Sequence, residues 1–496
     1  MIACKKSSHR WKYIPAYIGL VVLFYFAYGP IGSTNGLPGS DMAIPTIMAN
    51  GEQTPYNIYF YGQDRFGGWP YMMMGSVAHL FAIDWLPHHT FFAQILVYAW
   101  ALLLIAVAFG HFWFVIPLGV LSVLDKGLWR NLSPDYLFAW QLIGIAWFIY
   151  QSRKQTQNRI GYLFLFLASF LAQWMSPTTW FYLSLYTSGP FILRLYRTKK
   201  VRLPRPSEAL LLMLPSISML MELGLKAYYL SYVERVFSAE YASKIQTSTH
   251  FNFTVLYLWK YVPEQVQIVF SVYNTAIVPY LLGLFITVTC LRNLREDDPM
   301  YQEWSNVFIL WLMALLPFFL FPGFEHVKAN LFAIRYSVVS IFFAAIACIW
   351  TFWLVLSKWK PITRHVTLFL VAIVALRSTM VSFFREYPLR NQTYRTELSM
   401  AQKVTSVDLI YIGGYDVYQL QCLNKHILGL PIQGQTMRMP WYIEIAKKAD
   451  TRIISDHDPD FFAKQSQYGI QFVAKEKESA FMIRGRKFWE YLPLHN

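Results

Sequence analysis

The chain carries several uninterrupted apolar stretches that are long enough to cross a lipid bilayer. The clearest of them are residues 91–110, 266–290, 307–322 and 337–356. A helix needs about 20 mostly apolar residues to span the hydrocarbon, because each residue adds about 1.5 Å of length. Only 14% of the residues are charged, whereas a soluble domain carries about a quarter. These stretches therefore predict an all-α, polytopic membrane bundle.

The positive charge of the chain sits in short tracts between the apolar stretches. The formal net charge is +15, and residues 194–205 alone hold six basic residues and no acid. Lys and Arg in short loops mark the cytoplasmic side of a membrane protein. The basic residues 5–12 therefore place the N-terminus inside, and the placement of the charge argues against a nucleic-acid partner.

About 11 transmembrane helices follow from the apolar stretches and the basic loops. They are predicted at 13–31, 90–109, 111–124, 137–151, 160–175, 177–196, 208–225, 266–291, 306–322, 336–357 and 365–384. This topology puts the C-terminus outside. The apolar segment 69–83 has only about 15 residues, a length typical of an interfacial helix rather than of a span.

Two domains are expected. Residues 1–384 form the transmembrane domain, and residues 385–496 form a small C-terminal α/β domain outside the cytoplasm. In this last part the apolar runs shorten to strand length at 408–413, 452–455, 470–474 and 480–483, with helix-like stretches at 415–423 and 441–448 between them. Alternating strands and helices predict a partly parallel sheet.

The long loop 32–89, predicted to lie outside, is the best place for chemistry. It holds seven glycines and three prolines before its apolar segment, so we expect turns there and no regular helix. The predicted spans, by contrast, carry almost no ionisable residue at mid-depth. Glu222 and Arg377 are expected toward the outer ends of their spans, and this scarcity counts against an ion-coupled transporter.

Several short motifs resemble those of the GT-C superfamily, the membrane glycosyltransferases that use polyprenyl-phosphate sugars. By this resemblance the chain looks like a distant relative of the protein mannosyltransferases. Asp41 follows the first span by about ten residues, as the catalytic acid of that class does. The run YGQDRFGG from Tyr61 to Gly68 is similar to the YGQxxxG element of bacterial members. The WMSP turn at 174–177 and the pair Arg335-Tyr336 match two further elements. One position departs: Met42 follows Asp41 where the protein mannosyltransferases have an Asp-Glu pair.

The resemblance implies an inverting transfer of a sugar from a polyprenyl- or dolichyl-phosphate donor to an acceptor outside the cytoplasm. Asp41 is expected to be the catalytic base, unless it only caps a turn, and Asp64 is the second catalytic candidate, with Glu52 as an alternative second carboxylate. The expected substrate-binding residues are Tyr61, Gln63, Arg65, Lys328, Arg335 and Tyr336. A guanidinium suits a leaving phosphate, although Arg335 also fits a residue that snorkels to the interface.

No cofactor is required by this chemistry, because the leaving group is already a phosphate ester; a divalent metal at Glu325-His326 stays open. The expected partners are the lipid-linked sugar, membrane lipids and a glycan, lipid or protein acceptor. The motifs favour a bacterial inner membrane. Two alternatives remain: a lipid-linked glycan flippase without covalent chemistry, and a catalytically inactive scaffold.

Overall fold

The computed structural model of the chain is mostly helical, with one small sheet near the C-terminus. It describes residues 13–28, 40–51, 54–59, 61, 67–110, 112–124, 138–153, 159–199, 203–245, 260–268, 277–295, 297–298, 300–324, 327, 337–357, 377, 380, 382–402, 409–414, 417–433, 437–448, 451–464, 466–475, 481–483 and 486–494.

The helices have the following bounds, in chain order. They are α1 (Tyr13–Tyr28), α2 (Ser40–Asn50), α3 (Trp69–Phe81), α4 (Pro87–Phe109), α5 (Val115–Leu124), α6 (Phe138–Arg153), α7 (Arg159–Met175), α8 (Thr179–Thr198), α9 (Pro206–Val236), α10 (Ala239–Ile245), α11 (Ile277–Asn293), α12 (Tyr301–Leu320), α13 (Val338–Leu356), α14 (Tyr387–Gln402), α15 (Val417–Leu423), α16 (Tyr442–Ala446) and α17 (Pro459–Lys464). Residues 260–268 are also helical, and short 3₁₀ turns occur at Pro55–Ile58, Phe112–Phe114 and Phe321–Gly323.

Four helices in the described part are long and apolar enough to cross a membrane. They are Pro87–Phe109, Pro206–Val236, Tyr301–Gly323 and Val338–Leu356. Three shorter helices are also apolar, at Tyr13–Tyr28, Ile160–Met175 and Val278–Asn293. The chain is therefore an integral membrane protein. The count of eleven spans stays a prediction, and most of the eleventh, 365–384, lies outside the described residues.

Contacts divide the chain into two units. The first comprises Met1–Leu23, Leu96–Leu225 and Thr247–Met380, and the second comprises Phe24–Ile95, Lys226–Gln246 and Val381–Asn496. The second unit thus takes in the loop 32–89 as well as the C-terminal segment. The predicted boundary at residue 385 remains a prediction.

Helices of the first unit pack through small residues and buried hydroxyls. A Cβ at Gly144 of α6 would collide with Ala172 of α7, so the two backbones approach closely there. The hydroxyls of Thr287 and Thr351 lie 2.9 Å apart, and the Trp311 indole donates to Thr287 at 3.2 Å. Small residues and interhelical hydrogen bonds are what hold helices together where lipid removes the hydrophobic drive.

The glycine- and proline-rich loop 32–89 contains a regular helix, so the expectation of turns alone was wrong. Residues 40–50 form α2, with Pro45 inside it. Of the seven glycines and three prolines counted in this region, only Pro45 lies within residues 40–50, and Ala43, Ile44, Ile47 and Met48 are buried along α2. Burial of this apolar face stabilises the helix despite Pro45, which removes one backbone donor.

The helix predicted to end near residue 225 continues to Val236. At 1.5 Å per residue, the 31 residues of α9 extend about 46 Å, which exceeds the hydrocarbon thickness of about 30 Å. The predicted outer loop 226–265 therefore begins as a helix. Glu222, expected at the outer end of its span, lies near the middle of α9 and is fully buried.

The C-terminal sheet has six strands, and its partly parallel character was predicted correctly. They are β1 (Leu409–Gly413), β2 (Ile427–Pro431), β3 (Arg452–Ser455), β4 (Gln471–Ala474), β5 (Phe481–Ile483) and β6 (Arg486–Leu494), in the order β2-β1-β3-β6-β4 with β5 paired to β6. Strand β1 runs parallel to β2 and β3, while β6 is antiparallel to β3, β4 and β5. The sequence did not predict β2 and β6.

Candidate functional site

Most of the residues that the motifs single out fall outside the described part of the chain. These are Asp64, Gln63, Arg65, Lys328, Arg335 and Tyr336, and their roles stay predictions. Asp41 is the second residue of α2, and its side chain also lies outside the described part. Its backbone therefore belongs to the first turn of a helix, where a negative charge interacts favourably with the helix dipole.

Tyr61, the first residue of the YGQ element, is described, and it is packed into the second unit. Its side chain is 3% exposed. The phenol donates to Asn57 Oδ1 at 3.3 Å, and the Tyr61 carbonyl accepts a hydrogen bond from Arg438 Nη1 at 3.1 Å. Arg438 is itself 5% exposed. The YGQ element is thus fixed at its start by a buried guanidinium from the C-terminal segment.

Tyr56 joins three distant parts of the same unit. Its phenol donates to the Arg438 carbonyl at 2.9 Å and lies 2.6 Å from the phenol of Tyr241. Tyr241 is also 3.2 Å from the Met437 carbonyl. Because each phenol has one proton, Tyr241 can donate either to Tyr56 or to Met437 at a given moment. Burial of the Tyr241 hydroxyl raises its pKa to about 12, and the hydrogen bond between Tyr241 and Tyr56 opposes that rise.

Aromatic rings surround this hydrogen-bonded group. The Trp441 ring meets Tyr56 edge-on at 5.2 Å and Tyr61 at 5.6 Å between centroids. The Trp441 ring also lies nearly parallel to the Phe237 ring, with 6.0 Å between the centroids and 26° between the ring planes. Such arrangements add about 0.5–1.5 kcal/mol per pair beyond the burial of area. The neighbouring rings of Tyr56, Tyr61 and Phe237 together fix the orientation of Trp441.

A cleft of about 570 Å³ opens beside these rings within the second unit. Its lining comes from α2 and the following turn, from the last residues of α9, and from the C-terminal segment: Ile47, Asn50, Gly51, Thr54, Tyr56, Tyr61, Tyr232, Val236, Phe237, Gln421, Lys425, Leu428, Trp441, Tyr442 and Ile445. The volume falls within the range of about 300–1,000 Å³ that is typical of small-molecule sites. Helix α2, which begins at Ser40 and Asp41, thus lines the cleft with residues near its C-terminal end.

Polar contacts hold the segment after α3 beside this cleft. Asn50 accepts from the Trp85 amide and donates to the Trp85 carbonyl, both at 2.8 Å. Lys425 forms an ion pair with Asp84 at 2.8 Å, with both side chains at least half exposed. Exposed ion pairs contribute about 0–1 kcal/mol, so the pair adds little to the stability of this segment.

The WMSP motif forms a turn in the first unit, as its resemblance predicts. Helix α7 ends at Met175 and α8 begins at Thr179. The Ser176 and Thr178 hydroxyls lie 2.8 Å apart, and Thr179 donates to the Ala172 carbonyl at 3.0 Å. These hydroxyls satisfy backbone and side-chain groups where the two helices meet.

In the described part of the chain, no group of three His, Cys, Asp or Glu side chains lies together as a metal site would require. His88 and His89 are adjacent, with ring centroids 4.0 Å apart, and His88 Nδ1 lies 2.7 Å from the Tyr394 phenol. The pair Glu325-His326 lies outside the described residues. The expectation that no cofactor is needed stays a prediction.

Apart from Tyr61, sequence reasoning missed the residues that line the cleft. Tyr56 and Tyr241 are separated by 185 residues, and Tyr56 and Arg438 by 382. No local pattern reports a contact over such a separation. The one local signal is the run Tyr56, Tyr59 and Tyr61, three aromatic residues in a polar loop, all of which are buried.

Comparison with known proteins bears on the fold. No protein-family model and no curated protein sequence matches the chain. The structure is similar to that of ArnT from Cupriavidus metallidurans in the apo state, with 12% sequence identity, coverage of 97% of this chain and 98% of ArnT, and a TM-score of 0.51. For the structure of ArnT bound to undecaprenyl phosphate, the TM-score is 0.49. The structure is also similar to that of the archaeal oligosaccharyltransferase AglB from Archaeoglobus fulgidus, in complex with an inhibitory peptide and a dolichol-phosphate. Here the TM-score is 0.42 at 10% sequence identity, with coverage of 92% of this chain and 71% of AglB.

The likeness to apo ArnT extends over nearly the whole of both chains, so it includes the C-terminal segment as well as the membrane helices. At 12% identity it establishes the fold and leaves the activity open. The chain therefore shares the fold of ArnT, in agreement with the resemblance of its motifs to the GT-C superfamily.

Proposed function

We propose that the chain is an inverting glycosyltransferase that moves a sugar from a polyprenyl- or dolichyl-phosphate donor to an acceptor outside the cytoplasm. The observation that carries the proposal is the likeness to ArnT over 97% of the chain, together with the position of Asp41 in the order of motifs. ArnT has been crystallised with undecaprenyl phosphate, which supports a donor built on a lipid phosphate.

The reaction needs a base and a stabilised leaving group. An acceptor hydroxyl attacks the anomeric carbon, a new C–O bond forms, and the bond from that carbon to the phosphate oxygen breaks. The proton of the hydroxyl goes to a carboxylate, which we assign to Asp41, and the lipid phosphate leaves with the electron pair. A positioned base contributes about 10²–10⁴-fold to such a step.

The remaining motif residues take the binding roles. Arg335 and Lys328 are proposed to neutralise the departing phosphate, because a guanidinium donates two parallel hydrogen bonds to it. Tyr336, Gln63 and Arg65 are proposed to orient the donor. Asp64 is proposed as the second carboxylate of the loop. Tyr61 anchors this element through its contacts with Asn57 and Arg438.

A lipid-linked glycan carrier is the second candidate, and one observation favours it. Glu222 is fully buried near the middle of α9, and buried acids in membrane helices commonly handle ions or polar substrates. A carrier would move the headgroup of the lipid across the bilayer and leave its bond to phosphate intact.

One reconstitution distinguishes the two candidates. Proteoliposomes holding the full chain receive radiolabelled polyprenyl-phosphate pentose or hexose, together with a lipid and glycan extract as acceptor. We expect free polyprenyl phosphate and a labelled product to accumulate. Transbilayer movement of the labelled lipid with no release of polyprenyl phosphate would contradict the glycosyltransferase and support the carrier.

A further inference from the structure

The aromatic cleft of the second unit presents two rings that a ligand can reach. Phe237 and Trp441 are half-buried, lie nearly parallel at 26° with centroids 6.0 Å apart, and both line the cleft. Tyr232, also half-buried, lines it as well. Three aromatic rings thus form part of the reachable surface of the cleft, beside the aliphatic side chains of Val236, Leu428 and Ile445.

A buried layer fixes these rings in place. Tyr56 is 1% exposed and its ring contacts Trp441 and Phe237 at 5.2 and 5.3 Å. Its phenol is tied to Arg438 and Tyr241. Because the rings are already ordered, a ligand that binds them loses little free energy to ordering of side chains.

The polar side chains of the cleft are largely engaged by the protein itself. Gln421 donates to the Tyr442 phenol and accepts from the Gly429 amide, and Asn50 is bound on both sides by Trp85. Among the described residues that line the cleft, Lys425 is the one with a formal charge, and it pairs with Asp84 at 2.8 Å. The cleft therefore offers little to an anionic headgroup or a charged peptide, and favours a neutral ligand.

Aromatic faces and an absence of net charge match one class of ligand, the pyranose sugars. The C–H bonds on one face of a pyranose ring carry partial positive charge, and the face of an aromatic ring is negative. The hydroxyls of the sugar point to its edges, where Thr54 and Tyr232 at the cleft wall carry hydroxyl groups of their own. A hydrocarbon tail would pack on the rings but would make no hydrogen bond to these hydroxyls.

We infer that this cleft binds the glycan of the acceptor through stacking on Trp441 and Phe237. This inference rests on the proposed function and specifies its acceptor as a neutral, pyranose-containing carbohydrate. The sugar that receives the donor would then be held by the second unit, the unit that also contains Asp41.

Binding can be measured without catalysis. The detergent-solubilised full chain is applied to an array of neutral pyranose oligosaccharides of two to six units, beside charged oligosaccharides and peptides. We expect the wild type to bind the neutral glycans and to leave the charged oligosaccharides and peptides unbound. Trp441→Ala should weaken that binding at least tenfold, while Trp441→Phe should keep it within about threefold, because phenylalanine retains a ring face.

Trp489→Ala is the matched control, since Trp489 is a half-buried tryptophan of the same unit that lies on β6 and does not line the cleft. It should bind glycans as the wild type does. Binding of peptides or charged glycans in place of neutral ones, or equal binding by wild type and Trp441→Ala, would overturn the inference. If the wild type transfers sugar in proteoliposomes and Trp441→Ala still binds glycans normally, the cleft assignment fails and the proposed function stands.

Discussion

The phenol oxygens of Tyr56 and Tyr241 lie 2.6 Å apart. This contact joins the 3₁₀ turn Pro55–Ile58 to the helix Ala239–Ile245, two segments that are remote in sequence and belong to one unit. The Arg438 carbonyl completes the group from the C-terminal segment. One phenol thus connects the loop 32–89 with both other parts of the unit that holds the cleft.

Tyr56→Phe should lower the stability of the second unit although it keeps the aromatic ring. The substitution removes the hydrogen bonds of a ring that is 1% exposed and leaves the Arg438 carbonyl without this donor. Loss of such a bond with a buried group left behind costs about 1–3 kcal/mol. Thermal unfolding in detergent measures the change, with Tyr228→Phe, an exposed tyrosine of α9, as the control. Equal midpoints for the two variants would contradict this role of Tyr56.

Gly68→Ala should disrupt the fold of the loop 32–89. A Cβ at Gly68 would collide with the Asn57 carbonyl oxygen and carbon, which are backbone atoms that cannot rotate away. The Gly68 amide also donates to the Ile58 carbonyl at 2.8 Å. We expect loss of glycosyl transfer and faster proteolysis of the loop in the variant. Gly224→Ala serves as the control, since a Cβ there meets no atom within 4 Å, and a wild-type proteolysis pattern for Gly68→Ala would be inconsistent with the collision.

Stability should fall at alkaline pH, in part through Tyr241. Its pKa rises from an ordinary value near 10 to about 12 because its hydroxyl is buried. Between these values the unfolded chain loses the proton and the folded chain keeps it, so unfolding becomes more favourable as pH rises. The contribution is complete below pH 10 and is lost as pH approaches 12. Unfolding midpoints at pH 9 and pH 11 should differ less in Tyr241→Phe than in the wild type; an equal difference would argue against this titration.

Asp84→Asn should leave stability nearly unchanged. Its ion pair with Lys425 is short, at 2.8 Å, but the side chains are 65% and 50% exposed. Solvent screens such a pair, which is worth about 0–1 kcal/mol. We expect a midpoint of thermal unfolding close to that of the wild type at high salt and only slightly lower at low salt. A large loss at both salt concentrations would show that this carboxylate does more than pair with Lys425.

The membrane helices could be predicted from the sequence because their signal is local. Hydrophobic length places α7 and α13 within one or two residues of their observed bounds, 159–175 and 338–356. Where apolar length is not the determinant, the prediction failed. Helix α9 continues to Val236 although its composition turns polar after Leu225, and α2 forms around Pro45. Burial of an apolar face stabilises α2 against its proline. In α9, Tyr229 and Val233 are buried beyond the apolar stretch.

The same contrast holds for the strands and the cleft: features with a local sequence pattern were predicted, and features without one were not. β1 and β3 are short apolar runs and were predicted. β2 contains a glycine and ends in a proline, and β6 mixes charged and aromatic residues, so neither has the pattern of a buried strand. Of the candidate site, the motif residues follow from the resemblance alone. Phe237, Arg438 and Trp441 are brought together only by the fold and have no signal in the sequence.

The most direct test of the account is glycosyl transfer by Asp41→Asn. The variant keeps the size of the side chain and removes its basicity, and Asp460→Asn, an exposed residue of α17, makes the same chemical change elsewhere. Transfer from radiolabelled polyprenyl-phosphate sugar is compared in proteoliposomes at equal protein content. We predict a loss of about 10²–10⁴-fold in Asp41→Asn and wild-type rates in Asp460→Asn. Wild-type transfer by Asp41→Asn would contradict the assignment of Asp41 as the base.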